Sequence, residues 1–301
     1  MEPIDCIFTG DIHFSDKTPR CRTDNYLDAL IDKMRFIIEF AYQRQCDIMD
    51  VGDLLNQYSV NSDLERIIYS LFKGYKAPFN TIYGNHDMPF HSFKRRNKGS
   101  LGLLHTTGAL NVIEDVKVVA YGTTVVNFYA GHYKQGFDLP EKRLGERNVL
   151  LLHDMISNDK MMFETHNAQK MIEVFGKNYD LIVSGHNHQH FIVSNKDCTL
   201  VNVGSLMRSK AHQIDYKPVV IGWSAYTNDI TKIPVPIKDN VIDINYLIKE
   251  KKRNENMESF VEVIKNKKGI TFKFEENVRN YCNSNDISRM VRDRLEEYIN
   301  E

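Results

Sequence analysis

The chain has 301 residues, of which 42% are hydrophobic and 26% are charged, and its formal net charge at pH 7 is −1. This length and hydrophobic content suit one large domain with a small appendage, while the near-neutral charge neither requires nor excludes a nucleic-acid partner. The five cysteines are odd in number and form no Cys-x-x-Cys pair, which predicts a reduced, cytoplasmic protein. The sequence has no signal-peptide pattern and no apolar run near the ~18 residues of a membrane span, so we expect no membrane contact.

The first third of the sequence alternates between predicted strands and predicted helices. Three segments rich in β-branched and aromatic residues predict strands at residues 4–9, 46–51 and 79–83. An apolar period of 3.6 residues predicts a long helix with its cap at Thr23 or Asp24, and a second helix over residues 64–72. This order indicates successive βα units.

Polar residues follow each of these three strands. They are Gly10-Asp11-Ile12-His13, Gly52-Asp53 and Gly84-Asn85-His86-Asp87. Open α/β sheets carry their chemistry at such strand ends, although Asp and Asn beside Gly are also ordinary turn residues. Three such segments in succession favour a functional site.

The middle of the sequence contains further strand patterns. They cover residues 116–121, 124–129, 148–152 and 179–184, with a predicted helix over 167–175. The third of these strands ends in His153-Asp154, and the fourth ends in Gly185-His186-Asn187-His188. Imidazole is a common metal ligand, and two histidines on a loop after a glycine can be aimed at one point. Residues 191–193, 199–203 and 218–223 predict a meander of three strands.

The order of these polar groups matches a known pattern. Asp-x-His, Gly-Asp, Gly-Asn-His-Asp, His and Gly-His-x-His follow one another between residues 11 and 188, and this arrangement resembles the calcineurin-like metallophosphoesterase superfamily. The resemblance implies an α/β fold of the α+β kind, a four-layer αββα sandwich, with a dinuclear metal centre at one edge.

The resemblance also implies the metal ligands. Asp11, His13, Asp53 and His188 would hold one ion, and Asp53, Asn85, His153 and His186 would hold the second, so that Asp53 bridges them. Carboxylate, amide and imidazole ligands without thiolates suit catalytic divalent ions. We expect Mn²⁺, with Fe²⁺, Zn²⁺ or Mg²⁺ as alternatives.

His86 is not among these ligands. The resemblance places it beside the metals as a catalytic residue that stabilises phosphoryl oxygens or donates a proton to the leaving oxygen, with Asp87 orienting its ring.

Further sequence segments resemble the SbcD-type branch of this superfamily. Its members are DNA-repair exonucleases and endonucleases. The segments that carry this resemblance are the one with Arg22, Asp24 and Tyr26, Gly52-Asp53-Leu54-Leu55, and Gly204-Ser205-Leu206-Met207-Arg208. This resemblance implies hydrolysis of DNA phosphodiester bonds, an SbcC-type ATPase subunit as partner, and a homodimer. The chain departs from many members at Asn56, where they have a histidine, which leaves any exonuclease step that depends on that histidine in doubt.

A basic segment follows His86. Lys94, Arg95, Arg96 and Lys98 are predicted to contact DNA phosphates, and Phe93 to stack on a base. A solvated surface loop explains the same charges equally well.

The sequence changes character near Pro234 and Pro236. We therefore predict a metallophosphoesterase domain over residues 1–230 and a small capping or partner-docking region over 231–301, with helical and strand patterns after residue 257. A region that merely packs on the main domain is the alternative.

Two other functions remain open at this point. The chain would be a phosphoesterase acting on nucleotides or phosphoproteins if the basic segment has no role. It would be a scaffold without catalysis if the fold alone were retained, which the complete set of ligand-type residues disfavours.

Overall fold

The structure of the protein, a computed structural model, describes residues 3–74, 79–158 and 165–243, together with residues 245, 246, 248, 249, 252, 280, 281 and 292. The chain divides into two compact units, Met1–Asp243 and Ile244–Glu301. The elements described below belong to the first unit. The patterns predicted after residue 257 lie outside the described residues.

The described residues of the first unit form fourteen strands and four α-helices. The strands are β1 (Cys6–Thr9), β2 (Asp47–Asp50), β3 (Phe79–Thr81), β4 (Asn111–Val112), β5 (Val116–Tyr121), β6 (Thr124–Gly131), β7 (Glu146–His153), β8 (Ile156–Ser157), β9 (His166–Asn167), β10 (Leu181–Gly185), β11 (Phe191–Ser194), β12 (Thr199–Asn202), β13 (Val219–Trp223) and β14 (Ile230–Pro234). The helices are α1 (Tyr26–Arg44), α2 (Ser62–Lys73), α3 (Ser100–Thr106) and α4 (Ala168–Phe175). Short 3-10 helices cover Pro89–His91, Phe93–Lys98 and Ala211–Gln213.

Asparagine side chains cap three of these helices. Asn25, Asn61 and Asn167 accept a hydrogen bond from the backbone N–H three residues later, at the starts of α1, α2 and α4. The predicted cap of α1 at Thr23 or Asp24 is therefore wrong by one or two residues. The Asp24 carboxylate instead accepts two hydrogen bonds from the Arg22 guanidinium, at 2.7 and 2.8 Å.

The strands form two six-stranded mixed sheets. The first has the order β14-β13-β1-β2-β3-β4, and the second has the order β11-β12-β10-β7-β6-β5. In the first sheet β1 to β4 run parallel to one another, and in the second sheet β6, β7, β10 and β12 do so. The carboxyl ends of these parallel strands deliver the polar segments singled out in the sequence.

The two sheets pack face to face. Because alternate residues of a strand point to opposite faces, one set of side chains lies between the sheets and the other set lies on the outer side. On β1, Ile7 packs among the residues of α1, while Cys6 and Phe8 pack between the sheets. The rings of Phe8, Phe128 and Trp223 meet there with centroids 6.0–6.4 Å apart.

A third apolar cluster covers the outer face of the second sheet. Leu150 and Ile182 of that sheet pack there against Ile172 of α4. The layers are therefore helix, sheet, sheet and helix, and the predicted four-layer sandwich is confirmed.

Two details of the predicted topology are wrong. Residues 191–223 do not form a three-stranded meander, because β11 and β12 pair in the second sheet while β13 pairs antiparallel with β1 in the first. The predicted boundary after residue 230 coincides with the start of β14, which pairs with β13 and therefore belongs to the sandwich. Pro234 ends this strand at the sheet edge, where a missing N–H costs no ladder bond.

Among the described helices, none combines the length and the apolar character needed to cross a membrane.

Candidate metal centre

An unusual backbone conformation marks the loops at the carboxyl ends of the parallel strands. Asp11, His13, Asp53 and His186 all have positive φ, between 48° and 77°. Residues other than glycine rarely adopt this conformation, because it is sterically unfavourable, and it is often found at functional sites. The four residues lie after β1, β2 and β10, in both sheets.

A glycine makes room for the central carboxylate. A Cβ atom on Gly84 would lie 2.2 Å from Asp53 Oδ1 and 2.3 Å from the Asp53 backbone nitrogen. The loops after β2 and β3 therefore approach each other more closely than any side chain at residue 84 would allow.

One group of donor atoms contains Asp11, His13 and His188. Their donor atoms lie within 4.8 Å of one another. The Nε2 atoms of the two histidines are 3.1 Å apart, and Asp11 Oδ1 lies 3.9 Å from His13 Nε2 and 3.8 Å from His188 Nε2. This group joins the loop after β1 to the loop after β10.

A second group contains Asp53, His153 and His186, whose donor atoms also lie within 4.8 Å of one another. Asp53 Oδ2 is 3.4 Å from His153 Nε2, which is 3.1 Å from Asn85 Oδ1. His153 donates its Nδ1–H to the Val51 carbonyl at 2.7 Å, which fixes the ring with its Nε2 toward Asp53 and Asn85.

Asp53 also approaches the first group. Its Oδ2 lies 3.8 Å from His13 Nε2. The seven residues predicted as ligands thus lie together, and Asp53 stands between the two groups as the predicted bridge would. Metal binding itself stays a prediction.

The spacing of the donor atoms fits divalent ions. Atoms bound to one ion at about 2.1 Å lie ~3.0–3.4 Å apart in octahedral or tetrahedral geometry. The histidine nitrogens at 3.1 Å and the Asp53–His153 pair at 3.4 Å have this separation. The buried aspartates and the histidine nitrogens at these separations therefore suit a pair of cations.

The electrostatics of the site also favour bound cations. Burial raises the pKa of Asp11 to about 7, and the nearby charge of Asp53 adds to this effect. Burial lowers the pKa of His13 to about 3 and those of His186 and His188 to about 4. Neutral imidazoles have the lone pair that a metal needs, and cations would stabilise the crowded carboxylates.

His153 differs from the other histidines. Burial would lower its pKa, but the Asp53 charge and hydrogen bond outweigh burial and raise the pKa to about 10. The same partnership with His153 holds the pKa of Asp53 below its ordinary value, although burial opposes it. Protonated His153 and the Asp53 carboxylate therefore stabilise each other in the absence of a bound ion.

His86 lies at the edge of these groups. Its backbone N–H donates to Asp53 Oδ1 at 2.8 Å, and its ring centroid is 4.9 Å from that of His13. Its Nδ1–H donates to the Asn56 carbonyl at 2.8 Å, since a carbonyl can only accept. Nε2 is therefore the ring nitrogen left for chemistry.

Asp87 does not orient His86 as predicted. It is fully buried, and its carboxylate accepts hydrogen bonds from the backbone N–H groups of Asp53, Leu55 and Gly84, each at 2.9 Å. The Asn56 backbone carbonyl orients His86 instead. Asp87 is thus a positioning residue that ties the loops after β2 and β3 together.

Replacing Asp87 by alanine should therefore destabilise the fold. Three buried N–H groups would lose their acceptor at a cost of about 1–3 kcal/mol each, so the free energy of unfolding should fall by about 3 kcal/mol or more. Urea unfolding measures this loss, and Asp87→Asn, which keeps one acceptor oxygen, should fall between wild type and Asp87→Ala. Wild-type stability in the alanine variant would contradict this role.

The basic segment after His86 is only partly available for a ligand. Lys94, Arg95 and Lys98 are exposed. Arg96 pairs with Glu114 at 3.0 Å and lies 4.2 Å from the centroid of the Phe93 ring. Phe93 is partly buried against the core, and base stacking on it stays a prediction.

A cavity of about 420 Å³ opens beside His186 and His188. Lys210 and His212 line it, and the Lys210 charge acts on His188. Sequence reasoning missed both residues, because they follow no predicted strand and lie in no known motif. It also missed Tyr133, whose ring centroid is 5.5 Å from that of His186.

A model of the calcineurin-like phosphoesterase superfamily domain matches residues 7–220. No curated protein sequence matches the chain significantly.

Several solved structures resemble the chain. A putative 5′-nucleotidase from Staphylococcus aureus has 16% identity and a TM-score of 0.47, with 79% of this chain and 54% of that one covered. This chain thus spans about half of the nucleotidase. An archaeal phosphodiesterase has 13% identity and a TM-score of 0.41, with 76% and 99% covered. The sulfate thiohydrolase SoxB of Thermus thermophilus has 12% identity and a TM-score of 0.47, with 78% and 57% covered. These values are too low to carry a functional assignment.

Proposed function

Because the chain belongs to the calcineurin-like phosphoesterase superfamily, we propose that it is a dinuclear metal-dependent phosphodiesterase that cleaves DNA, a nuclease of the SbcD type. The observation that carries the proposal is the pair of donor groups joined at Asp53, with His86 beside them. Such an arrangement suits hydrolysis of a phosphodiester.

The residues have distinct parts in this reaction. Asp11, His13 and His188 would hold one ion, His153, His186 and Asn85 the other, and Asp53 both. When bound, divalent ions activate water and neutralise phosphoryl oxygens. Manganese is the proposed metal.

The leaving oxygen needs a proton, and His86 is placed to supply it. The Asn56 carbonyl accepts a hydrogen bond from the Nδ1–H of His86, so the proton that passes to the leaving oxygen is the one on Nε2. A backbone acceptor fixes the ring without regard to the side chain at residue 56. Asn56 itself has no proton to give, so the proposed reaction places the transfer on His86.

Cations on both sides of the site support a polyanionic substrate. The exposed Lys94, Arg95 and Lys98 follow His86, and Lys210 lies in the cavity beside His188. The formal net charge of the chain is −1, so the positive charge here is local. A phosphodiester backbone has the regular negative charge that such a path would bind.

Digestion of defined substrates tests this function. Purified full-length chain with Mn²⁺ should cleave end-labelled single- or double-stranded DNA faster than nucleoside monophosphates, cyclic dinucleotides or phosphopeptides. Preference for one of the latter substrates would overturn the DNA assignment in favour of a nucleotide or protein phosphoesterase.

Neutralising two lysines beside the site should weaken DNA binding. Lys94→Gln with Lys98→Gln removes two exposed cations, and each lost phosphate contact should reduce the slope of log K against log salt by ~0.9 for duplex and ~0.7 for single strands. Binding titrations between 50 and 200 mM salt, on the scale over which such contacts respond, measure the slope.

Lysines at the other end of the second sheet provide the control. Lys177 and Lys196 are exposed and precede β10 and β12, whereas the site follows the carboxyl ends of these parallel strands. Lys177→Gln with Lys196→Gln should leave the slope unchanged. Equal slopes in both double variants would exclude Lys94 and Lys98 from the DNA path.

We further propose an SbcC-type ATPase as partner, docked through residues 244–301, most of which lie outside the described residues. A homodimer belongs to the same proposal. Co-purification of the full chain with such a subunit, compared with a chain lacking residues 244–301, tests this part.

A further inference from the structure

Two aromatic side chains next to the site face solvent. The side chain of Phe90 is 76% exposed and that of Tyr58 is 41% exposed. Their rings are stacked with 29° between planes and 6.5 Å between centroids, and the Arg95 guanidinium carbon lies 5.2 Å from the Phe90 centroid. Tyr58, Phe90 and Arg95 together are called the aromatic ledge.

The backbone holds Phe90 outward. Phe90 has φ 55° and ψ 27°, and His91 has φ 54°, so two consecutive residues other than glycine are left-handed. The His91 Nδ1–H donates to the Asn85 carbonyl at 2.7 Å, which ties this turn to a predicted metal ligand. An exposed apolar ring on an unfavourable backbone suggests a role in binding rather than in folding.

The aromatic ledge lies close to the proposed reaction. Phe90 follows His86 by four residues, so at ~3.6 Å per residue their Cα atoms are at most ~14 Å apart. Tyr58 follows Asn56, whose carbonyl holds the His86 ring, and its own carbonyl accepts from Ser100 N–H at 2.7 Å. One strand of duplex DNA carries a phosphate every ~3.4 Å along the helix axis, so ~14 Å corresponds to an axial span of about four nucleotides from the bond to be cut.

We propose that the aromatic ledge binds a nucleobase of the substrate by stacking. The base would lie on Phe90, with Tyr58 extending the surface and Arg95 contacting the adjoining phosphate or the base face. Stacking on an aromatic ring accepts every base, because each has a π face, so the contact adds affinity without sequence preference. This inference rests on the proposed function, since it requires a substrate that carries bases.

A base-deletion experiment tests the stacking. We would compare a fluorescent single-stranded oligonucleotide with the same backbone carrying abasic sites, and measure dissociation constants by anisotropy with Ca²⁺ in place of Mn²⁺ to slow cleavage. Wild-type protein should bind the base-bearing strand more tightly. Phe90→Ala should weaken binding of that strand about tenfold and change binding of the abasic strand by less than about twofold.

Two further variants sharpen the comparison. Phe90→Trp keeps a flat ring and should restore the preference for bases. Val118→Ala removes another exposed apolar side chain, 64% exposed on β5, and should change neither constant. Equal effects of Phe90→Ala on both strands, including a general loss through misfolding, would overturn the proposal.

The outcome is separable from that of the proposed function. If DNA is cleaved and the Phe90 variants bind both strands as wild type does, the stacking fails and the nuclease stands. If DNA is bound with a base preference that requires Phe90 but is not cleaved, the stacking stands and the nuclease fails.

Discussion

Replacing Asp53 by asparagine should abolish hydrolysis and deplete the metal while leaving the fold intact. Asp53 is the carboxylate that approaches both donor groups, with Oδ2 3.4 Å from His153 Nε2 and 3.8 Å from His13 Nε2. The amide would retain an oxygen for the His86 N–H but would lose the negative charge. We expect activity to fall on the order of 10³-fold or more, since one lost electrostatic contact in an active site costs 10²–10³-fold.

Metal content decides the interpretation of that variant. Elemental analysis of the wild-type protein should give two divalent ions per chain, and the Asp53→Asn variant should give fewer. Asp47→Asn is the matched control. Asp47 lies at the end of β2 that is opposite to the site, and its carboxylate accepts a hydrogen bond from the Tyr121 hydroxyl at 2.6 Å. An Asp53→Asn protein with full metal and full activity would remove the bridge from the mechanism.

His86→Ala should also lose hydrolysis but, unlike Asp53→Asn, should retain the metal. The ring donates Nδ1–H to the Asn56 carbonyl and keeps Nε2 for proton transfer. Loss of general acid help slows a reaction by about 10²–10⁴-fold. A nitrophenolate leaves without a proton, so the loss should be much smaller with bis(p-nitrophenyl) phosphate than with DNA.

A second outcome is physically possible for His86, because its donor atom also lies within 4.8 Å of those of His13 and Asp53. Loss of an ion in the His86→Ala protein, with equal slowing of both substrates, would identify His86 as a ligand. Elemental analysis and the ratio of the two rates distinguish a proton donor from a ligand.

The strand-end residues were predictable because their signal is local. Each of β1, β2, β3, β7 and β10 ends in a polar segment within a few residues, and the order of those segments carries the family resemblance. The parallel strands then bring them to one edge, since the carboxyl ends of parallel strands coincide. The set of candidate ligands could therefore be proposed from the order of these segments.

Contacts between distant segments could not be predicted in this way. The carboxylate of Asp87 accepts from Asp53 and Leu55, 34 and 32 residues away, and no pattern around Asp87 reveals those partners. Phe90 and Phe93 lie three residues apart in two short 3-10 helices, and only the fold shows which ring is exposed and which packs under Arg96. The pairing of β13 with β1 joins two segments that are far apart in the sequence, Cys6–Thr9 and Val219–Trp223, and no local period encodes it.

The site draws on both sheets. Four candidate ligands come from loops of the first sheet, namely Asp11, His13, Asp53 and Asn85, and the three histidines at 153, 186 and 188 come from the second. A partly assembled chain with only one sheet formed would offer only four or three of the seven candidate ligands, so the complete pair of ions could be bound only after the two sheets had packed together. Metal bound in this way would connect the two sheets, and by mass action it would oppose their separation.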